Sequence, residues 1–412
     1  MTWMNSSSNQ KLEMEVMHLV KDVIHAEDFN PRDLDGFSVR RCLHALDNHG
    51  EHGAVTFPDD WVELDITLDI LTKSKDDPSR SFSIPGFHYR PLVAMICSAF
   101  ADIQASAFHL FPFKCLWKDL LDDHQECVFD ELYSSDSWLE AQEELQRQLR
   151  EPGCSLKCMI AGLMLFSDST HLANFGMAKA WPLYLYFGNL MKYTRSAPKS
   201  GACHLVGFLP SIDNVKDVLS TLPQISKSGM AVLHVHCRQD LFHACWKHLL
   251  DADFLQAYRH GIVLQCPDGI LRRVFLRVFT YSADYLEKFL IATIKDMGSC
   301  PCPRCLIPKA SFDLLGLFGD MQDRLVNVQT YCLVEVTKAH GFIYTFRNTV
   351  DGSKVQKALG EGSWVPTVVK CICRKLGPLG LDTFHMLVID FMHECELGTW
   401  KVLFTHLIRL PY

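Results

Sequence analysis

Hydrophobic and polar positions follow three textures along the chain. In the first, apolar residues recur at helical spacing only in short stretches. Leu12, Val16, Leu19, Val20 and Val23 predict one amphipathic helix, and RPLVAMICSAFADI at 90–103 predicts another. SWLEAQEELQRQLRE at 137–151 predicts an exposed helix with good propensity and mixed charge. Residues 47–90 are rich in Asp, Gly, Pro and Ser, and are expected to form a solvent-exposed connection, a linker or poorly packed arm with few core positions. Residues 1–150 therefore read as a helical and irregular N-terminal region.

The second texture covers 151–300. CMIAGLMLFSD at 158–168, WPLYLYFGNL at 181–190 and CHLVGFLP at 203–210 are short apolar or aromatic runs bounded by Gly, Pro, Asn and Ser, which predicts strands. Between 229 and 260, Leu241, Phe242, Cys245, Trp246, Leu249 and Leu250 form one stripe, as on a helix packed against a sheet. GIVLQC and LRRVFLRVFTYSAD flank a Pro-Asp-Gly turn and predict a hairpin, and YLEKFLIATIKDMG predicts a helix ended by Gly298. This order predicts an α/β domain with a sheet flanked by helices. The third texture, 300–412, combines a cysteine-rich knuckle, the strand-like HMLVID and the helical DFMHECELGTWK.

Composition acts by exclusion. A chain of 412 residues, 48% hydrophobic and 21% charged, is not disordered, and 40 Lys+Arg against 48 Asp+Glu, net charge -8, is no polybasic nucleic-acid coat. The 17 Cys are an odd number, the first residues lack a charged and apolar leader, and no apolar stretch approaches a membrane span. Reduced thiols in the cytosol or nucleus are the expectation, with no membrane partner.

Three carboxylates stand where apolar strands end. Asp168 closes LMLFSD, Asp284 closes VFTYSAD, and Asp390 closes HMLVID with His393 three residues later. Each suits a turn or helix cap, and each also suits a hard divalent cation, which prefers oxygen ligands. Cys300, Cys302 and Cys305 in CPCPRC suit a zinc knuckle if Cys371, Cys373 or His393 supplies a fourth ligand; the alternative is a Pro-rich turn with free thiols. His234, His236, Cys237, His243, Cys245 and His248 are ligand-rich, yet Cys245 lies on the apolar stripe. Lys192, Arg195 and Lys199 in a loop, and Arg272, Arg273 and Arg277 along a strand, suit phosphate contacts or a solvated surface; Arg273 and Arg277 share one strand face.

The longer segments LMLFSDSTHLANFGMAKAWPLYLYFGNLMKYTR, CHLVGFLPSI, LQCPDGILRRVFLRVFTYSADYLEKFLIATIKDMGSCPCPRCLIPK and DFMHECELGTWKVLFTHLIRLPY resemble the Plavaka transposases of mushroom-forming fungi, in the CACTA-like group of cut-and-paste elements. The similarity runs from about 55 to 412. The resemblance implies an RNase H-like fold and DDE/D chemistry with Mg2+ or Mn2+ on transposon-end DNA, in the nucleus and with oligomers allowed. It assigns Asp168 as the first acid, Asp284 as the second, and Asp390 with His393 as the D-x-x-H element. It places the third acid on a helix beyond Tyr412, after an inserted helical region that 300–412 would begin. The expectation is thus a fragment holding two of three acids and showing no strand cleavage by itself. The alternative is an inactive, transposon-derived remnant that binds nucleic acid or protein, cytoplasmic in that case.

Overall fold

The computed structural model describes residues 19–27, 29–30, 32, 35, 38, 61–70, 80–119, 124–148, 154–171, 179–210, 227–296, 298–329, 333–360, 362–366 and 371–409. The chain divides into two units, Met1–Thr56 with His171–Ala178, and Phe57–Thr170 with Lys179–Tyr412. In the first unit the predicted helix around 12–23 falls mostly outside the described residues, which hold a wide π-type turn at Leu19–Ile24.

The second unit is built on one seven-stranded sheet. Its strands are β1 (Val62–Ile70), β2 (Arg80–Tyr89), β3 (Lys157–Ser167), β4 (Pro182–Phe187), β5 (His204–Phe208), β6 (Ile262–Gln265) and β7 (Leu271–Ser282). Their order is β1-β2-β5-β4-β3-β7-β6. All neighbours are antiparallel except β3 and β7, which run parallel. The three strands expected in 158–210 and the hairpin around Pro267-Asp268-Gly269 are present, with Gly269 at φ +77° where the turn needs a left-handed residue.

The expected linker at 47–90 is corrected by β1 and β2. Ile66, Leu68, Ile84 and Phe87 are buried in the main core, while Ser83 donates to Asp65 across the pair at 2.9 Å. VELDITLDI alternates strictly, so its polar half faces out and its apolar half in.

Helices α1 (Leu92–Ala101), α2 (Asp136–Arg147), α3 (Lys227–Leu249), α4 (Ala252–His260) and α5 (Tyr285–Ala292) flank the sheet. On β3, Met159, Ala161, Leu163 and Leu165 face the main core, whereas Cys158 and Ile160 join Trp138 of α2 in a second cluster. Both faces are therefore covered, which explains why the strand reads as a continuous apolar run. Trp138 stacks on Phe279 with centroids 4.8 Å apart, and a Cβ on Gly162 would meet its ring at 2.2 Å.

Two predicted boundaries shift. The helix expected across 229–260 breaks at Asp251, whose carboxylate caps α4 by accepting from the Phe254 N–H at 2.8 Å. α5 ends at Thr293 (φ 55°), not at Gly298, because Ile294 leaves the helix to pair with Trp364.

Beyond α5 the chain forms α6 (Phe318–Val326), α7 (Leu333–Tyr344), α8 (Ser353–Leu359) and α9 (Cys371–Leu376). α7 and α8 share a small core of Val336, Ala339, Ile343, Val355 and Leu359. The expected strand HMLVID is reduced to one parallel bridge, Leu387 beside Tyr281 of β7. A π-helix, Phe391–Trp400, and α10 (Lys401–Arg409) follow. Among the described residues, no helix is long and apolar enough to cross a membrane.

Candidate active site

The site is made by the parallel pair of strands β3 and β7, the one such strand pair among the described residues. β3 and β7 pair, with a bulge at Phe279 that shifts the register by one residue, as far as Phe166 opposite Ser282. Asp168 and Asp284 each stand two residues past that pair, at the carboxyl ends of adjacent strands. Neighbouring strands lie about 5 Å apart, so the two acidic residues leave the sheet side by side.

Asp284 caps α5, accepting from the Glu287 N–H at 2.6 Å. Asp168 is half-buried and has no hydrogen bond or ion pair among the described residues. The third strand-end acid arrives by the single bridge: Tyr281 N–H donates to Met386 O at 2.7 Å and Val388 N–H to Tyr281 O at 3.2 Å. That docks the segment ending in Asp390 against the carboxyl end of β7.

Asp390 caps the π-helix, accepting from the His393 N–H at 3.1 Å, and its other oxygen meets His393 Nδ1 at 2.8 Å. Burial alone would raise the Asp390 carboxyl; the His393 hydrogen bonds and the His393 and Lys288 charges bring it below its ordinary value. His393 moves up. Its bond to Asp390 outweighs partial burial, and the negative charges of Asp390, Asp168 and Asp284 add to the rise. The Asp168 and Asp284 carboxylates thus act on the same imidazole, which places the predicted acids and the D-x-x-H pair in one electrostatic neighbourhood.

Glu287 completes the cluster, and sequence reasoning missed it. Three residues after a capping Asp, a Glu reads as an ordinary first-turn acid. In the structure it turns inward, with 4% exposure. One carboxylate oxygen bonds Ser167 Oγ and the other accepts from Trp181 Nε1 at 3.0 Å. Burial pushes its carboxyl up to about 7, the bonds from Ser167 and Trp181 oppose this, and the Asp284 and Asp168 charges add to the rise. Its neighbour Lys288 is also buried and pairs with Glu394, which accepts from the Asp390 N–H at 2.9 Å. α5 therefore holds β3 through Glu287 and the D-x-x-H segment through Lys288.

The predicted basic contacts are mostly engaged within the chain. Lys192 pairs with Asp130, and Arg195 with the buried Glu131 at 3.1 Å. Arg272 grips Asp268 at 2.7 and 2.6 Å. Arg273 and Arg277 do share a face, where they donate to the His260 and Tyr258 carbonyls at 3.0 and 2.7 Å, at the C-terminal end of α4. Lys199 is exposed. Arg238 is exposed too and lies over the ring of Trp181, whose Nε1 bonds Glu287, 5.7 Å from the ring centroid.

The cysteine knuckle splits. Cys302 accepts from the Arg304 N–H at 3.3 Å, and Cys305 from Arg324 at 3.3 Å. Cys300 turns to the Leu306 carbonyl. Of the expected fourth ligands, Cys373 bonds Thr383 at 2.8 Å and His393 belongs to the acid cluster, while the Cys371 side chain is outside the described residues. His236 is committed to Tyr344 at 2.9 Å. Among the described residues, no group of three or more His, Cys, Asp or Glu is arranged to hold a metal ion.

The profile of one protein family, Plavaka transposase, matches residues 58–407. No curated protein matches the chain.

Proposed function

Because the chain belongs to the Plavaka transposase family, we propose that its sheet is the RNase H-like catalytic core of a DDE/D transposase, with Asp168 and Asp284 as two of the acids that hold Mg2+ or Mn2+. The observation that carries this reading is the matched position of the two carboxylates past the last parallel pair of β3 and β7. An antiparallel triplet, β3-β4-β5, with a parallel strand on the other side of β3 supports the RNase H-like assignment by topology.

The donor set fits the cation. Mg2+ is commonly held by one or two carboxylates, with water and substrate phosphate filling its other positions, so a preformed three-residue cage is not required. When bound, such ions supply Lewis-acid activation of the attacking and leaving oxygens in phosphodiester displacement. The protein's own part is placement: Asp284 is held by the α5 N-terminus, and Asp390 raises the proton affinity of His393 beside the acids. His393 when protonated, and the exposed guanidinium of Arg238 over the Trp181 ring, would favour a DNA phosphate at an otherwise acidic site. Transposon-end DNA is the substrate in this reading, and the nucleus its place of action. Cys302 and Cys305 lie close to each other, but two sulfurs do not fit the four-coordinate site of a structural zinc.

One observation favours the remnant reading, in which the chain binds DNA weakly and cuts nothing: Lys192, Arg195, Arg273 and Arg277 are already engaged internally. Metal binding separates the two. Titration of the chain with Mn2+, followed by electron paramagnetic resonance, is expected to give bound ion in the wild type and to lose it in Asp168→Asn. Equal binding by both would overturn the active-site assignment.

A further inference from the structure

We propose that Glu287 is a positioning residue that locks the two acid-bearing strand ends into one geometry; the inference rests on Asp168 and Asp284 forming the metal-holding pair. Ser167, the last residue of β3, directly precedes Asp168, and its hydroxyl bonds the Glu287 carboxylate. The same hydroxyl lies 2.7 Å from the Tyr281 hydroxyl on β7. The Glu287 backbone N–H donates to Asp284 at 2.6 Å, and its second oxygen takes the Trp181 N–H at 3.0 Å. One residue thus touches the last position of one strand, the cap residue of the other and the indole preceding β4.

Ser167 and Tyr281 are fully enclosed, at 0% exposure. Rotation or slippage of either strand end would leave a buried hydroxyl or carboxylate without its partner, which is costly. A carboxyl placed beside two other acids is also costly, and an apolar residue would serve packing alone better. Its backbone N–H bonds Asp284 directly, and its side chain stands one step further back, holding the residue that precedes Asp168; outer partners of metal ligands, when removed, typically lower metal affinity about 10–100-fold. Both Glu287 oxygens are occupied by Ser167 and Trp181, so its side chain acts on Asp168 and Asp284 through the residues it holds.

The test measures Mn2+ affinity by electron paramagnetic resonance on the full 412-residue chain, alongside its urea unfolding curve. Glu287→Ala is expected to weaken Mn2+ binding about tenfold or more. Glu287→Gln is expected to restore affinity to within about threefold, since an amide accepts from Trp181 and donates to Ser167, whose hydroxyl then donates to Tyr281. Wild-type affinity in Glu287→Ala overturns the proposal. So does a Gln variant as weak as the Ala variant, because the charge rather than the bridging would then matter. Should Glu287→Ala lose cooperative unfolding, Ser167→Ala carries the test, with weaker binding supporting the bridge and unchanged binding overturning it. Absence of Mn2+ binding in the wild type, or binding that survives Asp168→Asn, overturns the active-site reading itself and this inference with it.

Discussion

Along β7, charge is handled in two ways. At its amino end Arg272 is clamped by Asp268, and Arg273 and Arg277 are spent on the carbonyls that close α4. At its carboxyl end Asp284 is joined by Asp168, Glu287, Asp390 and Glu394, with the Lys288 ammonium and the His393 imidazole bonded there. The arginines are engaged by the fold and help to hold it. The acids crowd one another, and Asp168 in particular makes no hydrogen bond or ion pair among the described residues, while its charge acts on Glu287 and His393. Charge crowded beyond its internal partners raises the electrostatic cost of the folded state, and a bound cation would relieve it. A similar density of ionisable residues therefore means structure at one end and a candidate site at the other.

Substitutions that separate capping from metal binding should break this comparison most strongly. Asp284→Asn keeps an acceptor for the Glu287 N–H and is expected to leave urea stability near wild type, while Mn2+ affinity falls about a hundredfold or more. Asp284→Ala should show the same loss of affinity and a further destabilisation of about 1 kcal/mol from the missing cap. Retention of Mn2+ binding by the Asn variant would reduce Asp284 to a helix cap.

The amino end predicts the reverse. Arg277 lies over the Tyr258 ring, 4.7 Å from its centroid, and bonds two carbonyls. Arg277→Ala is expected to cost about 2 kcal/mol in urea unfolding and to leave Mn2+ affinity unchanged. A variant of normal stability that has lost DNA binding would move Arg277 from the scaffold to the nucleic-acid interface.

The smallest effect lies in the Asp390–His393 pair. In the folded chain His393 should titrate above its ordinary 6.5, and Asp390→Asn should lower it; nuclear magnetic resonance of the imidazole reads both. Because the folded value is raised, the histidine's contribution to stability is fully present below about 6.5 and is lost as pH rises through the folded value. Asp390 is depressed, so its contribution is present above its ordinary 3.8 and is lost as pH falls through the folded value. The pair is therefore strongest between the two shifted values, and an unshifted His393 would detach it from the acid cluster.

The core of the sheet was legible because β3, β4 and β5 are buried and bounded by Gly, Pro and Asn. β1 and β2 were not, since their alternation is half polar: Asp65, Asp69, Ser81 and Ser83 dominate the composition while Ile66, Leu68, Ile84 and Phe87 do the packing. Asp168, Asp284 and Asp390 were legible as strand-end acids, and Asp390 with His393 as a pair, because local sequence places them. Glu287 and Lys288 were illegible. Their partners, Ser167, Trp181 and Glu394, lie about a hundred residues away, and only tertiary packing turns first-turn helix residues inward. The end of α5 was misplaced for a related reason: the pairing of Ile294 with Trp364 stops the helix before the glycine that sequence alone would choose.

Anomalous diffraction from a crystal grown with Mn2+ tests the central claim most directly. The account predicts a manganese peak between the Asp168 and Asp284 carboxylates, at about 2.0–2.6 Å from an oxygen of each. Manganese absent from that position in a well-ordered crystal, or bound only elsewhere, would contradict it.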